Sequence, residues 1–405
     1  MLTVPEAQVL ILQEIPVLGF EKVDLLLALG RVLAQEVAST RDIPPWDNSS
    51  MDGYAVQAQD TRGATRERPA RLSVVGHIPA GGMASRPMGP GEAYRIMTGA
   101  PIPEGADAVI PVEDVIVEDE KVACLREVTP REFVRPLGED VRRGDLVLSR
   151  GMRLTPAAIG LLAALGRASV HVHQQPRVAI LSTGDELVEI EEPLGPGKIA
   201  DSNTYTLMAQ VRAAGAVPVS LGIARDTRES LVERFRSGLT ADCLISSAGV
   251  SVGDHDHVRD ALEQLGVQLR FWKVAMRPGK PLTFGLLQGK PVFGLPGNPV
   301  SSMVTFELFV RPALMKMMGH QGFFRPRVRA IAALPIPNPG GREGYLRVSI
   351  RREGDRHYAR LTGEQGSSIL RSMVLADGLA VVPPDTTIPA GNDVDVILLT
   401  ESLEN

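Results

Sequence analysis

The stretch Val178-Ala-Ile-Leu-Ser-Thr-Gly-Asp-Glu-Leu187 decides the fold, because an apolar run here leads into a polar turn with a glycine. The same order recurs twice. Cys243-Leu-Ile245 leads into Ser246-Ser-Ala-Gly-Val-Ser-Val-Gly-Asp-His-Asp256, and Pro291-Val-Phe-Gly-Leu295 leads into Pro296-Gly-Asn-Pro-Val-Ser-Ser302. Short runs that are apolar on both faces are typical of parallel strands covered by helices. We therefore predict an α/β domain.

Loops that follow parallel strands meet at one edge of the sheet, where ligands of open α/β sheets bind. Helix N-termini at this edge offer backbone N–H groups to phosphates, so we predict a phosphorylated ligand. The same loops carry the carboxylates of Asp185, Glu186, Asp254 and Asp256. Carboxylates beside a phosphate repel it unless a cation lies between them, and Mg²⁺ shares both kinds of oxygen.

Composition narrows the class of protein. The chain has 405 residues, so roughly two to four domains are expected. A net charge of -5 and few aromatic residues argue against a nucleic-acid partner. Cys124 and Cys243 have neither metal-ligand spacing nor a disulfide framework. The N-terminus lacks a signal peptide and the apolar run 154–166 is too short to cross a membrane, so we expect a soluble, cytoplasmic protein.

The spacing of apolar residues predicts how helices and strands are distributed along the chain. Apolar residues recur at helical spacing over 5–36, and short alternating runs over 46–138 predict a small β domain. A helix is predicted to begin after the N-cap Thr155, with Pro156 as its first residue, and to end at Gly166. Between 176 and 319 we predict helices near 203–214, 228–239, 256–265 and 299–318. After Arg325 the pattern alternates again and predicts a second β domain.

A set of short motifs is similar to those of the molybdopterin molybdenumtransferases, the MoeA and gephyrin E-domain family. They occur in the family's order and span essentially the whole chain. They are Asp47-Asn-Ser-Ser-Met-Asp-Gly-Tyr-Ala-Val56, Ile96-Met-Thr-Gly-Ala-Pro-Ile-Pro-Glu-Gly105, Gly138-Glu-Asp140, Ser182-Thr-Gly-Asp-Glu186, Gly249-Val-Ser-Val-Gly253, Arg277-Pro-Gly-Lys-Pro281, Gly294-Leu-Pro-Gly-Asn-Pro-Val300 and Gly366-Ser367.

The resemblance implies a multidomain α/β protein with four parts. They are a helical linker and dimerisation part (1–45 and 139–174), an inserted β domain (46–138), an α/β molybdopterin-binding domain (175–322) and a C-terminal β barrel (323–405). It also implies a reaction in which adenylylated molybdopterin and molybdate give molybdenum cofactor and AMP, assisted by Mg²⁺. The implied assembly is a homodimer with shared active sites. The implied partner is a molybdopterin adenylyltransferase, which supplies the adenylylated substrate.

Site residues follow from the motifs. The resemblance implies catalytic roles for Asp52, Asp140, Glu186 and Asp256, and metal binding by Asp185, Glu186 and Asp256. Substrate-binding residues are expected to be Thr98, Ser182, Thr183, Gly184, Asp226, Gly249, Ser251, Gly253, Lys273, Arg277, Lys280, Pro296, Gly297, Asn298, Pro299, Arg347, Ser367 and Ser372. In Arg277-Pro-Gly-Lys280, Pro and Gly fix the backbone between two cations, which suits an oxyanion such as molybdate or phosphate.

Several simpler interpretations stay open at this point. Asp226 opens Asp226-Thr-Arg-Glu229, which reads as a helix capping box. Asp52-Gly53 reads as a plain turn. At the level of function, an adenylyltransferase or amidase on the same α/β domain would need neither the 46–138 insertion nor the C-terminal barrel. A scaffold protein on the same fold would need no intact set of acidic residues.

Overall fold

The structure is a computed structural model that describes residues 1–247 and 257–400. The chain forms two compact units. One contains residues 1–22 and 30–34 and the chain from His171 onward. The other contains residues 23–29 and 35–170.

The helices predicted near 203–214, 228–239 and 256–265 begin and end close to these bounds, whereas the helix predicted near 299–318 is divided in two and the short helix at 371–374 is not among the predicted ones. The helical bounds are α1 Val4–Glu14, α2 Pro156–Ala164, α3 Ser202–Ala213, α4 Arg228–Ser237, α5 His257–Gln264, α6 Pro299–Thr305, α7 Arg311–Met317 and α8 Arg371–Val374. A π-helical turn, Phe306–Val310, joins α6 to α7. Thr155 caps α2 by accepting a hydrogen bond from the Ala158 N–H, and Pro156 is its first residue, as predicted.

A six-stranded sheet forms the centre of the first unit. Its spatial order is Val217–Ala224, Arg177–Thr183, Cys243–Ser247, Lys290–Leu295, Pro281–Leu287 and Gln268–Lys273. The first four strands are parallel and the last two pair antiparallel. Apolar cores cover both faces: Ile180 and Phe293 belong to one core, and Leu181 and Val292 to the other. The parallel sheet predicted from the three apolar runs is confirmed.

A closed five-stranded barrel follows in the same unit. Its strands run in the order Glu343–Glu353, Arg356–Leu361, Arg327–Ala332, Asp393–Leu398 and Gly378–Val382, and the last strand pairs with the first. The short strand Met276–Arg277 also pairs with the first barrel strand. Tyr345, Leu379 and Ile397 belong to the same core as α1 and the central sheet, so the barrel packs directly on the α/β domain.

The second unit contains its own six-stranded sheet. Its order is Ala108–Pro111, Gly53–Val56, Glu92–Ile96, Ala70–Ile78, Lys121–Cys124 and Val115–Glu118. The predicted β domain between 46 and 138 is present. Shorter pairs of strands in this unit are Val37–Ala38 with Leu146–Leu148 and Asn48–Ser49 with Val134–Arg135. In the first unit, Leu187–Val188 pairs with Ile199–Ala200, and Ile336–Asn338 pairs with Thr386–Ile388.

The prediction of helix over 5–36 is correct only for α1 and is wrong beyond it. Ile15 precedes Pro16 and has an extended backbone, which ends the helix. The following residues form the strand Phe20–Asp24 and a 3₁₀ turn, Leu25–Ala28. The helical spacing of the leucines in this turn therefore reflects an exposed apolar surface and not the buried face of a helix. In residues 1–247 and 257–400, no helix is long and apolar enough to cross a membrane.

Candidate functional site

A cavity of about 570 Å³ lies at the carboxyl ends of the parallel strands. The loops after the first and third predicted strands both contribute to its wall. The predicted residues that line it are Thr183, Glu186, Pro296, Gly297, Asn298 and Pro299. The structure therefore brings these six residues together around one space, whereas Ser182 lies behind the wall.

Ser182 is fully buried and supports the wall through hydrogen bonds. Its hydroxyl donates to Asp201 Oδ1 at 3.1 Å and lies 2.8 Å from Thr204 Oγ1. Asp201 is the N-cap of α3 and accepts from the Thr204 N–H, and it also lines the cavity. Sequence reasoning missed Asp201, although a capping Asp before helical sequence was a readable signal.

Asn203 is a second residue that the sequence did not reveal. Its side-chain Nδ2 donates to Ser247 Oγ at 2.8 Å and to the Gly297 carbonyl at 2.7 Å. Ser247 ends the strand Cys243–Ser247, and Gly297 belongs to the loop after Lys290–Leu295. One amide on α3 thus ties the ends of two neighbouring strands together beside the cavity.

The turn 184–186 places its two carboxylates differently. Gly184 has φ +145°, and a Cβ on it would lie 2.5 Å from Glu186 Oε2, so the Glu186 carboxylate lies over the glycine. Asp185 lines a second cavity of about 980 Å³ instead. Its Oδ1 accepts a hydrogen bond from the backbone N–H of Asp226 at 3.3 Å.

The capping interpretation of Asp226 is wrong. Thr227 is the N-cap of α4, and its side chain accepts from the Ser230 N–H. Asp226 therefore stands one position before the helix, with an exposed side chain. Helix capping therefore does not explain the position of Asp226 beside Asp185.

In the described part of the chain, no group of three or more His, Cys, Asp or Glu side chains converges in a way that could hold a metal ion. Of the predicted metal ligands, Glu186 and Asp185 line different cavities. Asp256, together with the predicted binding residues Gly249, Ser251 and Gly253, lies outside the described residues.

Arg347 is a fully buried cation on the first barrel strand. Its Nε donates to Ser372 Oγ and its Nη2 to the Gly366 carbonyl, both at 3.0 Å. Its Nη1 is buried and has no hydrogen-bond partner within the described residues. Burial first, and then the positive charge of Arg277, lowers the pKa of Arg347 to about 10. A buried guanidinium with a free N–H and a second cation nearby is suited to bind an oxyanion.

Arg277 and Ser367, two other predicted oxyanion residues, are connected to this position. Arg277 is exposed and donates to the Pro339 carbonyl at 2.6 Å. Ser367 connects the site to the first cavity, because its Oγ accepts from Asn298 Nδ2 at 3.0 Å and its carbonyl accepts from the Val300 N–H at 3.1 Å. Lys273 and Lys280 are half-buried and stand before and after Arg277 in the chain.

The second unit holds the remaining predicted residues. Asp52 and Thr98 are in contact, because the backbone N–H and the hydroxyl of Thr98 both donate to Asp52 Oδ1. Gly53 begins a strand, and a Cβ on it would lie 2.1 Å from the Ile110 carbonyl oxygen. The glycine is therefore required by close strand packing and does not form a plain Asp-Gly turn. Asp140 is exposed, and its backbone N–H donates to the Ile43 carbonyl.

Three family models match this chain in sequence. Residues 2–166 match the MoeA N-terminal region, domains I and II. Residues 179–316 match a probable molybdopterin-binding domain, and residues 329–399 match the MoeA C-terminal region, domain IV. A molybdopterin molybdenumtransferase from Nostoc sp. is 41% identical over 94% of this chain and 88% of its own length. The chain belongs to the molybdopterin molybdenumtransferase family.

Other relatives agree with this assignment. Molybdopterin molybdenumtransferase 2 of Mycobacterium tuberculosis is 40% identical over 93% of this chain and 95% of its own length. Among solved structures, a molybdopterin biosynthesis MoeA protein from Pyrococcus horikoshii OT3 superposes with a TM-score of 0.83 and 33% identity, covering 98% of this chain and 100% of that one. The likeness extends over the inserted β domain and the barrel, which an enzyme built only on the α/β domain would not need.

Proposed function

We propose that the chain inserts molybdenum from molybdate into adenylylated molybdopterin and releases AMP. The observation that carries this proposal is the link between Asn298 and Ser367. Asn298 lines the 570 Å³ cavity and donates to Ser367, and the preceding residue, Gly366, supplies a carbonyl partner to Arg347. An organic ligand in the cavity and an oxyanion at Arg347 would therefore lie at neighbouring positions in one unit.

The cavity suits a pterin with its phosphate. Pro281, Pro296 and Pro299 offer apolar surfaces to a flat ring, and the Thr183 hydroxyl is buried without a hydrogen-bond partner within the described residues. Such a polar atom is costly unless a ligand or water pairs with it. Glu186 projects into the same space and is placed to orient or deprotonate a water molecule.

Hydrolysis of the phosphoanhydride separates the two halves of the substrate. The oxygen of water forms a bond to one phosphorus as the bridging P–O bond breaks, which leaves one phosphate on the pterin and one on AMP. The two dithiolene sulfurs then form bonds to molybdenum as one Mo–O bond of molybdate breaks, and the released oxygen leaves as water with the two thiol protons. Arg347 and Arg277 bind molybdate, and the negative charge of the anion offsets the repulsion between the two neighbouring guanidinium groups.

The carboxylate of Glu186 is a suitable ligand for Mg²⁺. This ion is commonly held by one or two carboxylates together with substrate phosphates and water, so a three-residue cluster is not required. Asp185 lines the other cavity and already accepts a hydrogen bond, so we assign the contact to Glu186. When bound, Mg²⁺ would neutralise charge on the phosphate oxygens.

A homodimer is the proposed assembly. Leu26 and Leu27 are 82% and 69% exposed on the 3₁₀ turn beside α2, a helix composed only of apolar residues. Exposed apolar patches of this kind mark protein interfaces. We also propose that the active sites are shared between subunits, that an adenylyltransferase supplies the substrate, and that the enzyme works in the cytoplasm.

A single assay tests the proposed activity. Purified protein is mixed with adenylylated molybdopterin, and AMP release is followed with and without molybdate and Mg²⁺. We expect release that depends on both. A protein that binds the pterin but releases no AMP under any of these conditions would act as a scaffold instead.

A further inference from the structure

The pairing of three barrel strands brings six side chains together on one outer face of the barrel. Tyr358 lies directly opposite Arg351 on one neighbouring strand and opposite Ile331 on the other. Because side chains alternate along a strand, residues two positions away on the same strands point to the same side, and arginines occupy three of these positions. We call this set the arginine face, and its members are Arg329, Ile331, Arg351, Arg356, Tyr358 and Arg360.

The arginine face is directed to solvent. The alternate residues of the same strands belong to the hydrophobic core of the barrel, among them Ala330, Ala332, Val348, Ile350 and Ala359. All four arginines are exposed, and the side chains of Arg351 and Arg329 retain 83% and 75% of their accessible surface. Tyr358 and Ile331 are half-buried. The face therefore has a partly apolar centre flanked by accessible guanidinium groups.

Positive charge is in excess on this face. Two of its arginines form ion pairs at its border, Arg351 with Glu353 at 3.6 Å and Arg329 with Asp393 at 3.4 Å. The other two stand on the middle strand, Arg356–Leu361, and form no ion pair within residues 1–247 and 257–400. The chain as a whole has a net charge of -5, so these unpaired cations oppose its overall sign.

The chemistry of the face points to a protein partner. Tyrosine and arginine are enriched among the residues that contribute most to protein interfaces, and guanidinium groups bind carboxylates through paired hydrogen bonds. We infer that the arginine face docks an acidic segment of another protein. An apolar side chain of that segment lies against Tyr358 and Ile331, and its carboxylates pair with the arginines around them.

The border of the face is less suited to a nucleic acid. Asp393 and Asp395 stand on the adjoining strand, and Asp395 lies directly opposite Arg329. These carboxylates repel a phosphate backbone that continues beyond the face, whereas a short acidic segment can end before it reaches them. The face also offers one aromatic ring, Tyr358, and a single ring stacks few bases.

The strand Glu343–Glu353 connects the arginine face to the buried Arg347. Arg347 and Arg351 are four positions apart, so they lie on the same side of this strand, about 13 Å apart along it. Tyr345 at the covered end of the strand packs into the core of the α/β domain, whereas Arg351 at the other end is exposed. A docked protein would therefore lie close to the proposed oxyanion site, although docking itself does not require the proposed reaction.

A short labelled peptide tests the inference on the full chain. The probe carries fluorescein, has Phe-Leu at its centre and has runs of Glu on both sides, and binding is followed by fluorescence anisotropy. The variants are Arg356→Glu, Arg360→Glu and Tyr358→Ala. Arg352→Glu is the matched control, because Arg352 is exposed on a barrel strand but alternates with Arg351 and belongs to the other side. Thermal melting confirms that each variant folds.

We expect the wild type to bind the probe and each of the three variants to raise its Kd about tenfold or more, the effect of losing a charged hydrogen bond or a central aromatic contact. Arg352→Glu leaves the Kd close to that of the wild type. Added salt weakens binding, because the attraction is between exposed charges. The same peptide with Gln in place of Glu binds much more weakly.

Four results would overturn the inference. The first is a wild type that does not bind the acidic probe, and the second is normal binding by folded Arg356→Glu and Arg360→Glu proteins. The third is competition by oligothymidylate as effective as that of unlabelled peptide, which would make the face a general polyanion surface. The fourth is a change of oligomeric state in these two variants by sedimentation, which would make the face a contact between copies of this chain.

Discussion

Thr98 donates two hydrogen bonds to one oxygen of Asp52, from its backbone N–H and from its hydroxyl, each 2.7 Å long. The backbone bond first, and then the side-chain bond, lowers the pKa of Asp52 below its usual value. Both bonds end on Oδ1, so neither engages Oδ2. Asp52 is therefore held as an ionised, oriented carboxylate with one oxygen directed elsewhere.

Substitution of Thr98 by Val is expected to raise the pKa of Asp52. The backbone bond stays, but the hydroxyl that stabilises the ionised form is lost. The acid limb of the activity profile therefore moves to higher pH, because Asp52 protonates earlier as the pH falls. Carboxyl NMR titration of Asp52 measures the shift directly. Thr98→Ser keeps the hydroxyl and serves as the control, and an unchanged Asp52 titration in Thr98→Val would contradict the assigned cause.

Substitution of Glu186 by Gln is expected to reduce turnover by roughly 10²-fold or more, since a positioned base or metal ligand has this effect. Gln keeps the size of the side chain over Gly184, so thermal stability stays close to that of the wild type. Steady-state AMP release is the measurement. The neighbouring exposed Glu191→Gln is the control for loss of one negative charge. Near-normal AMP release in Glu186→Gln would remove Glu186 from the mechanism.

Substitution of Arg277 by Ala is expected to weaken the molybdate dependence of the reaction more than the binding of molybdopterin. Arg277 lies near the buried cation Arg347 and outside the lining of the pterin cavity. Arg347→Lys is expected to have the same effect, because an ammonium cannot reproduce the planar fork of donors. Molybdate titrations of AMP release check both variants, with exposed Arg351→Ala as the control. An unchanged titration in Arg277→Ala would make it an ordinary surface residue.

The central sheet could be predicted from the sequence because its strands are apolar on both faces, a pattern that few other structures share. The helix predicted over 5–36 is wrong beyond α1 because the spacing of apolar residues alone does not distinguish a buried face from an exposed one. Leu26 and Leu27, which contribute to this spacing, are exposed. The motif residues around Glu186 and Asn298 were found because glycine and proline mark their turns.

Tertiary contacts explain what the sequence could not reveal. Arg347 lies in the alternating run Tyr345-Leu-Arg-Val348, where a charged residue normally faces solvent, yet the barrel buries all four residues. Asn203 resembles an ordinary polar residue at the start of a helix, and its partners Ser247 and Gly297 are 44 and 94 positions away. The family resemblance predicts a binding role for Arg347 but not its burial, and it gives no sign of Asn203, because both features depend on the packing of distant segments.

The last prediction concerns shared active sites. We propose that Asp52 and Glu186 of one site come from different subunits of a homodimer. Asp52→Ala and Glu186→Ala proteins are then each inactive alone, but a mixed dimer carries one site with both residues intact. Equimolar random assembly makes about half of the dimers mixed, and each mixed dimer has one working site of two. Co-refolding is therefore expected to restore about a quarter of wild-type AMP release for a two-fold assembly of independent sites. Mixed dimers are verified with two different affinity tags, and each parent refolded alone is the control. If tagged mixed dimers form and the mixture stays as inactive as its parents, the two residues do not complete one site across subunits.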